Sequence, residues 1–191
     1  GAVRADSDSL ISGPFETAPR LEMRRAEKPP KIDGRLSDEV WRDAPGFRGV
    51  ITTDPVENGT PTEETVIRLL YDAHFLYVGV RCFDSEPDKI IAFTQIPDDF
   101  MLHDDVIGMF IDSFGEGRSG YSFATNPLSN RYEALIEGNR TEIEWDGIWY
   151  VKSRIDDLGW TAEIKIPFTT LSFDPTGRDW GLHRQRPDDR R

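Results

Sequence analysis

Cysteine is almost absent from this chain, with Cys82 the only one in 191 residues. A single thiol excludes an intrachain disulfide framework and a cysteine-based zinc knuckle. Cys82 alternates with Leu76, Val78 and Val80, so it reads as a small, buried, inert side chain. Histidine is nearly as scarce. His74, His103 and His183 lie far apart and form no ligand-spaced pair, which removes a histidine zinc site. Positive charge is in deficit, with 23 Lys and Arg against 35 Asp and Glu and a net charge of -12. A protein that neutralises phosphates needs the opposite balance on its binding face, so nucleic acid is not an expected partner. No apolar run approaches the roughly 20 residues that span a bilayer, and no charged-apolar-small signal segment opens the chain. Catalytic signatures are missing too. There is no Gly-x-Ser-x-Gly elbow, phosphate loop or His-Glu-x-x-His, and Ser119 and Ser122 have no accompanying base motif.

What the chain does have is tryptophan in an unusual place. Three of its five tryptophans fall between Glu144 and Phe168. In Gly159-Trp160-Thr161-Ala162-Glu163-Ile164-Lys165-Ile166, the apolar residues alternate with Thr161, Glu163 and Lys165, as a half-buried strand requires. Trp160 is therefore expected in the core. Trp145 and Trp149 instead flank an Asp146-Gly147 turn signal, which puts Trp145 in a loop where its ring could stack on something outside the protein.

At this length a single domain burying roughly 70% of its unfolded surface is expected. Residues 1–29 carry Ser, Asp, Pro and Arg without periodicity and read as an extended segment, stiffened by Pro29-Pro30. Ser37-Asp38-Glu39-Val40-Trp41 looks like the capped start of a short helix that Pro45 stops, with Trp41 as a core plug. A second short helix is expected near 86–90, after Ser85. Strands are predicted at 48–53, 65–71, 75–81, 106–112, 121–125, 132–137, 149–155 and 160–166. Hairpin turn chemistry joins several of them, at Asp72-Ala73-His74, Gly115-Glu116-Gly117, Asn126-Pro127-Leu128-Ser129-Asn130 and Asp156-Asp157-Leu158-Gly159. Neighbouring strands should pair antiparallel. The pattern predicts an all-β fold, a two-sheet, jelly-roll-like β-sandwich with one or two short helices.

Four blocks in order carry a resemblance: Ile32-Asp33-Gly34-Arg35-Leu36-Ser37-Asp38-Glu39-Val40-Trp41, then Leu70-Tyr71-Asp72-Ala73-His74-Phe75-Leu76-Tyr77-Val78-Gly79-Val80, then Asp104-Asp105-Val106-Ile107-Gly108-Met109-Phe110-Ile111-Asp112, then Gly159 to Phe168. Together they resemble carbohydrate-binding module family 9-like domains, over nearly all of 30–185. In particular the chain is similar to the amino-terminal domain of bacterial proteins whose carboxy-terminal region resembles an outer-membrane barrel. The resemblance implies a β-sandwich at 30–186, often with bound calcium, and in sugar-binding members a ligand held between aromatic side chains. Residues 187–191 would then begin a linker. It also implies an exported protein, periplasmic, outer-membrane-associated or extracellular, with a carbohydrate or polysaccharide as partner.

A saccharide site needs a flat aromatic face and planar polar groups for hydroxyls. Trp145, with Asp146, Glu144, Asn139, Arg140 and Tyr132 near it in sequence, supplies those types. Trp149 either adds a second face or turns inward at the strand start. The structural alternative is that Trp145 caps the sandwich edge. For calcium, which takes six to eight oxygens at roughly 2.3 to 2.6 Å, Asp104 and Asp105 at a strand entrance are the first candidates. Some sandwiches resembling this superfamily hold haem b, for which Met101, His103 and Met109 are the available axial ligands, with Met101 and His103 read as an exposed-loop pair and Met109 as core. The expectation is a non-catalytic carbohydrate-binding module. Its main rival is a protein-interaction or gating domain of a larger outer-membrane protein, without a sugar site.

Overall fold

The computed structural model describes residues 2–5, 20–48, 63–96, 101, 103–176 and 179–185, with 2–5, 20–22 and 183–185 described by backbone alone. Two sheets pack face to face, as the turn chemistry predicted. Strands β1 (Ala2–Ala5), β2 (Arg20–Glu22) and β3 (Arg24–Arg25) come from the segment expected to be merely extended. Helix α1 (Glu39–Asp43) and β4 (Gly46–Arg48) follow. The central strands are β5 (Thr65–Tyr71), β6 (Phe75–Phe83), β7 (Ile107–Asp112), β8 (Ser119–Thr125) and β9 (Arg131–Glu137). The last four are β10 (Arg140–Glu142), β11 (Tyr150–Asp156), β12 (Gly159–Pro167) and β13 (Asp179–Gln185). One sheet has the order β10-β9-β8-β7-β13-β1-β2, and the other β11-β12-β6-β5-β3, with β4 also on β5.

All four predicted hairpin turns join antiparallel neighbours, β5 to β6, β7 to β8, β8 to β9 and β11 to β12. The parallel pairs, β1 with β13 and β3 with β5, both come from the amino-terminal strands. The strand predicted at 48–53 begins earlier, at Gly46, and its residues 49–53 lie outside the described ones. The helix predicted near 86–90 is one turn of 3₁₀ helix at Pro87–Lys89, and Ser85 bonds the Glu63 carboxylate instead of capping it.

Between the sheets, Leu76, Val78, Val80 and Cys82 of β6 meet Trp160, Ala162, Ile164 and Ile166 of β12, and across from them Ile107, Met109, Ile111 and Phe123. Trp160 is fully buried, as expected. The far face of β12 is where expectation fails. Thr161 and Glu163 are each 1% exposed, so β12 is buried on both sides rather than one. A second layer covers it, in which Trp41, Ala44 and Ala26 pack on Leu70 and Tyr77. Glu163 pins that layer: Oε2 accepts the Asp33 and Gly34 N–H groups at 2.7 and 2.6 Å, and Oε1 accepts Trp41 Nε1–H at 2.7 Å. Gly79 permits the close approach, because a Cβ there would lie 2.6 Å from Leu36 and 3.0 Å from the Trp41 ring. Asp38 is the N-cap residue of α1 but makes no side-chain capping bond, and its carboxylate accepts the Lys31 N–H instead.

Candidate functional site

The Ala26–Ala44 layer covers the outer face of the six-stranded sheet over β5, β6 and β12, and it leaves the outer face of the seven-stranded sheet uncovered. Strand alternation sends Tyr121 and Phe123 of β8, and Glu133 of β9, inward. It sends Gly108 and Phe110 of β7, Ser122 and Ala124 of β8, and Tyr132 and Ala134 of β9 to the outer face. Gly108, Ala124 and Tyr132 form one cross-strand row, and Phe110, Ser122 and Ala134 the next. Phe110 and Tyr132 are half-buried rings at opposite corners of this patch, two strands and one row apart, roughly 12 Å between Cα atoms. Gly108, Ser122 and Ala124 lie between them, and Ala134 is itself buried. The Phe110 ring lies across Gly120, where an added Cβ would meet Phe110 Cζ at 2.6 Å. Burial pushes the Tyr132 phenol pKa above its ordinary value.

A loop rims the Tyr132 end of this face. Asn126 Nδ2 donates to the Thr94 carbonyl at 2.8 Å, and Asn130 Nδ2 to the Ile96 carbonyl at 2.9 Å. These two asparagines flank the β8–β9 turn, two residues from Ala124 and Tyr132. The loop leaves Phe93 79% and Ile96 68% exposed, the most solvent-facing large apolar side chains among the described residues. Isolated exposed apolar residues are ordinary, whereas two on one loop beside an aromatic face make a candidate contact surface. Phe93 and Phe110 were not read from sequence. Phe110 alternates like any strand residue, and only the position of the second sheet shows that it points outward.

The residues singled out from sequence do not converge. Tyr132 and the Asn139–Arg140 turn sit at opposite ends of β9, roughly 20 Å apart at about 3.3 Å per residue. Trp145 lies on the inner side of the same sheet, against Tyr121 at 5.1 Å and Phe123 at 6.1 Å between ring centroids. It closes the open edge between β10 and β11, and Gly147 packs directly under its ring. The ring remains half-exposed, with Glu144 and Asp146 exposed on either side. Arg140 is exposed and pairs with Glu142.

Trp149, one of the proposed stacking rings, takes the inward alternative. It is 1% exposed, donates from Nε1 to Glu133 at 2.8 Å and meets Phe123 edge-on at 5.3 Å. Arg131 also covers it, 5.9 Å above its centroid. A ring enclosed in this way has no face for a sugar.

Asp104 and Asp105 hold the rim loop. Asp104 is 1% exposed; Oδ1 accepts the Phe93 N–H at 3.0 Å, while Oδ2 accepts the Thr94 N–H at 3.0 Å and Asn126 Nδ2–H at 2.7 Å. Burial alone would raise its pKa, but these hydrogen bonds outweigh burial and hold the carboxyl below the usual carboxylate range. Asp105 accepts the Ile91 N–H at 2.7 Å. Among the described residues the pair does not gather the oxygens of a calcium site. The Asp104 oxygens, the Thr94 and Ile96 carbonyls and Asn126 Oδ1 all already accept N–H groups, whereas the ion needs six to eight oxygens turned toward it. Among the described residues no group of three His, Cys, Asp or Glu is placed to hold a metal.

The haem reading changes in one particular. Met101 is 6% exposed, so it is not half of an exposed pair with His103, which is exposed; Met109 is 6% exposed and in the core as expected.

Known proteins give this geometry a context. No curated protein matches the chain. The solved family 9 carbohydrate-binding module from Caldicellulosiruptor kristjanssonii in complex with glucose is similar in fold, with a TM-score of 0.59 and 19% identity, over 87% of this chain and 80% of that one. Its complex with cellotriose gives a TM-score of 0.60 at 17% identity, over 88% and 78%. The family model described as carbohydrate family 9 binding domain-like matches residues 32–191. With a match over that share of its length, the chain belongs to the carbohydrate family 9 binding domain-like family.

Proposed function

We propose that this chain is a non-catalytic carbohydrate-binding module whose saccharide lies on the outer face of the seven-stranded sheet. The observation that carries the reading is the pair of half-buried rings, Phe110 and Tyr132, turned to the outer face with the small residues Gly108, Ser122 and Ala124 between them, on the sheet that the Ala26–Ala44 layer does not cover. An amphipathic sugar ring stacks its apolar side on such rings and turns its hydroxyls to water or to the rim. Among the described side chains of that face there is no carboxylate pair or activated nucleophile, which favours binding over chemistry. The similar module solved with glucose and cellotriose makes neutral glucans the first ligands to try.

A second reading places the sugar on Trp145, favoured by its half-exposed ring between the exposed Glu144 and Asp146. Calorimetric titration with glucose and cello-oligosaccharides separates the two. On the first reading Tyr132→Ala weakens binding by about tenfold, the loss of one stacked ring, and Trp145→Ala leaves the affinity of the folded protein in place. Loss of affinity in Trp145→Ala alone supports the second reading. An unresponsive wild type across a broad glycan panel favours an interaction or gating domain instead.

The rim loop is held by hydrogen bonds on this account, without calcium. EDTA should therefore leave the melting temperature unchanged, and a clear drop on chelation would reverse that statement, since an ion bound only to the folded state stabilises it. A module for polysaccharide works where polysaccharide is. We place it outside the cytoplasm, in the periplasm, on the outer membrane or beyond, as in the barrel-linked proteins it resembles; fractionation of cells making the full-length protein tests this, and recovery in the cytosol would contradict it.

A further inference from the structure

A second surface on the opposite sheet has its own chemistry. Strand β11 is an edge of the six-stranded sheet, and its outer-facing residues Tyr150, Lys152 and Arg154 are exposed, Tyr150 by 51%. Tyr150 pairs across the ladder with Lys165, whose Nζ lies 3.9 Å over the Phe75 ring centroid and 5.6 Å from that of Tyr150. Two rings therefore hold the ammonium in place. Among the described residues, Lys152, Arg154 and Lys165 form no ion pair. The carboxylates nearby are already engaged: Asp156 by Arg81 at 2.7 Å, Asp33 by Lys31 at 3.0 Å, and Glu163 by its three N–H donors. In a chain of net charge -12 this leaves a row of cations without a salt bridge among the described residues beside an exposed ring, with Asp156 acting on Arg154 and Glu163 facing Lys152 only through space.

We propose that this row is a second glycan site, which takes a polysaccharide bearing uronate groups. The inference rests on reading the chain as a glycan-binding module, but uses none of the residues of the first site. The cations are spaced along an extended strand, roughly 7 Å from one outward residue to the next, and do not converge on a point as a small anion would require. An extended polymer with a carboxylate on each ring likewise presents its charges in a line and not at a point. A uronate ring stacked on Tyr150 directs its carboxylate sideways, toward Lys165 and Lys152, and charge-assisted hydrogen bonds fix it there. Charges on an exposed edge also discourage strand-to-strand association, but that role needs no aromatic ring and no ammonium held between two. At 0.1 M salt, where the Debye length is about 10 Å, the acidic remainder of the surface is largely screened from the polymer.

Affinity electrophoresis of the intact chain in gels containing polygalacturonate, its fully methyl-esterified form, or polyglutamate tests the proposal. Polygalacturonate should retard the wild type, and the Lys152→Gln/Arg154→Gln variant and Tyr150→Ala should each bind about tenfold more weakly. Tyr132→Ala should be retarded like the wild type. Both substituted cations are exposed, and a thermal melt confirms that the variant is folded. No retardation, equal retardation by the esterified polymer, or equal retardation by polyglutamate would overturn the proposal, the last because polyglutamate offers carboxylates without a sugar ring. Cello-oligosaccharide titration of the same samples reads the first site separately, so failure of one site is not mistaken for failure of the other.

Discussion

Replacing Glu163 with alanine should lower the melting temperature by roughly 6–20 °C, from a loss of about 3–5 kcal/mol for its buried donors at about 2–4 °C per kcal/mol for a chain of this length. The side chain is 1% exposed and accepts three N–H groups, two from the backbone at Asp33 and Gly34 and one from the Trp41 indole. Each donor, left buried without an acceptor, costs about 1–3 kcal/mol unless it moves to water. Relaxation of the Ala26–Ala44 layer would recover part of that, which is why the sum of the three is not expected. Glu163→Gln keeps the volume and one acceptor oxygen while turning an amide N–H toward the donors, so its loss should be smaller but still clear. Differential scanning calorimetry reads both variants. If Glu163→Ala melts within a degree or two of the wild type, the layer is not pinned as described.

Trp149→Ala should be comparably damaging, by about 3–5 kcal/mol, because a fully enclosed indole leaves a cavity that its neighbours fill only in part. The lost contacts are the edge-on meeting with Phe123, the cover from Arg131 and the hydrogen bond to Glu133. Trp149→Phe retains most of the volume but removes the donor to a buried carboxylate, at a cost of about 1–3 kcal/mol. Urea unfolding of the pair separates packing from hydrogen bonding. The folded fraction of either variant should bind saccharide as the wild type does. A Trp149→Phe protein of unchanged stability but impaired sugar binding would mean that the ring is a ligand platform after all.

The sandwich was legible in the sequence because its signals are local. Four turns with Gly, Asn or Asp at the required places define hairpins, and alternation along residues 160–166 identifies the inward face of β12. The cover on the other face was not legible. It depends on Glu163 meeting Asp33 and Gly34, 130 and 129 residues earlier, and no local pattern encodes such a contact. The ring cluster misled for a related reason. Tyr132 and Trp145 are near in sequence, yet strand alternation and the β9–β10 turn put them on opposite faces of one sheet. Trp149 sits just before β11, where one residue of register decides between solvent and core. Met101 joins the interior although its flanking residues read as a loop. Adjacent aspartates suggested a metal because paired carboxylates need compensation. Asp104 obtains it from the Phe93 and Thr94 N–H groups and from Asn126.

The central claim is that a saccharide lies over Phe110 and Tyr132 on the outer face of the seven-stranded sheet. Amide chemical-shift mapping during titration with a cello-oligosaccharide tests it most directly, since it locates the ligand without altering the protein. The account predicts shifts concentrated at Gly108, Phe110, Ser122, Ala124 and Tyr132, extending to Phe93 and Thr94 on the rim. Shifts centred on 143–149 with the sheet face unmoved would contradict it.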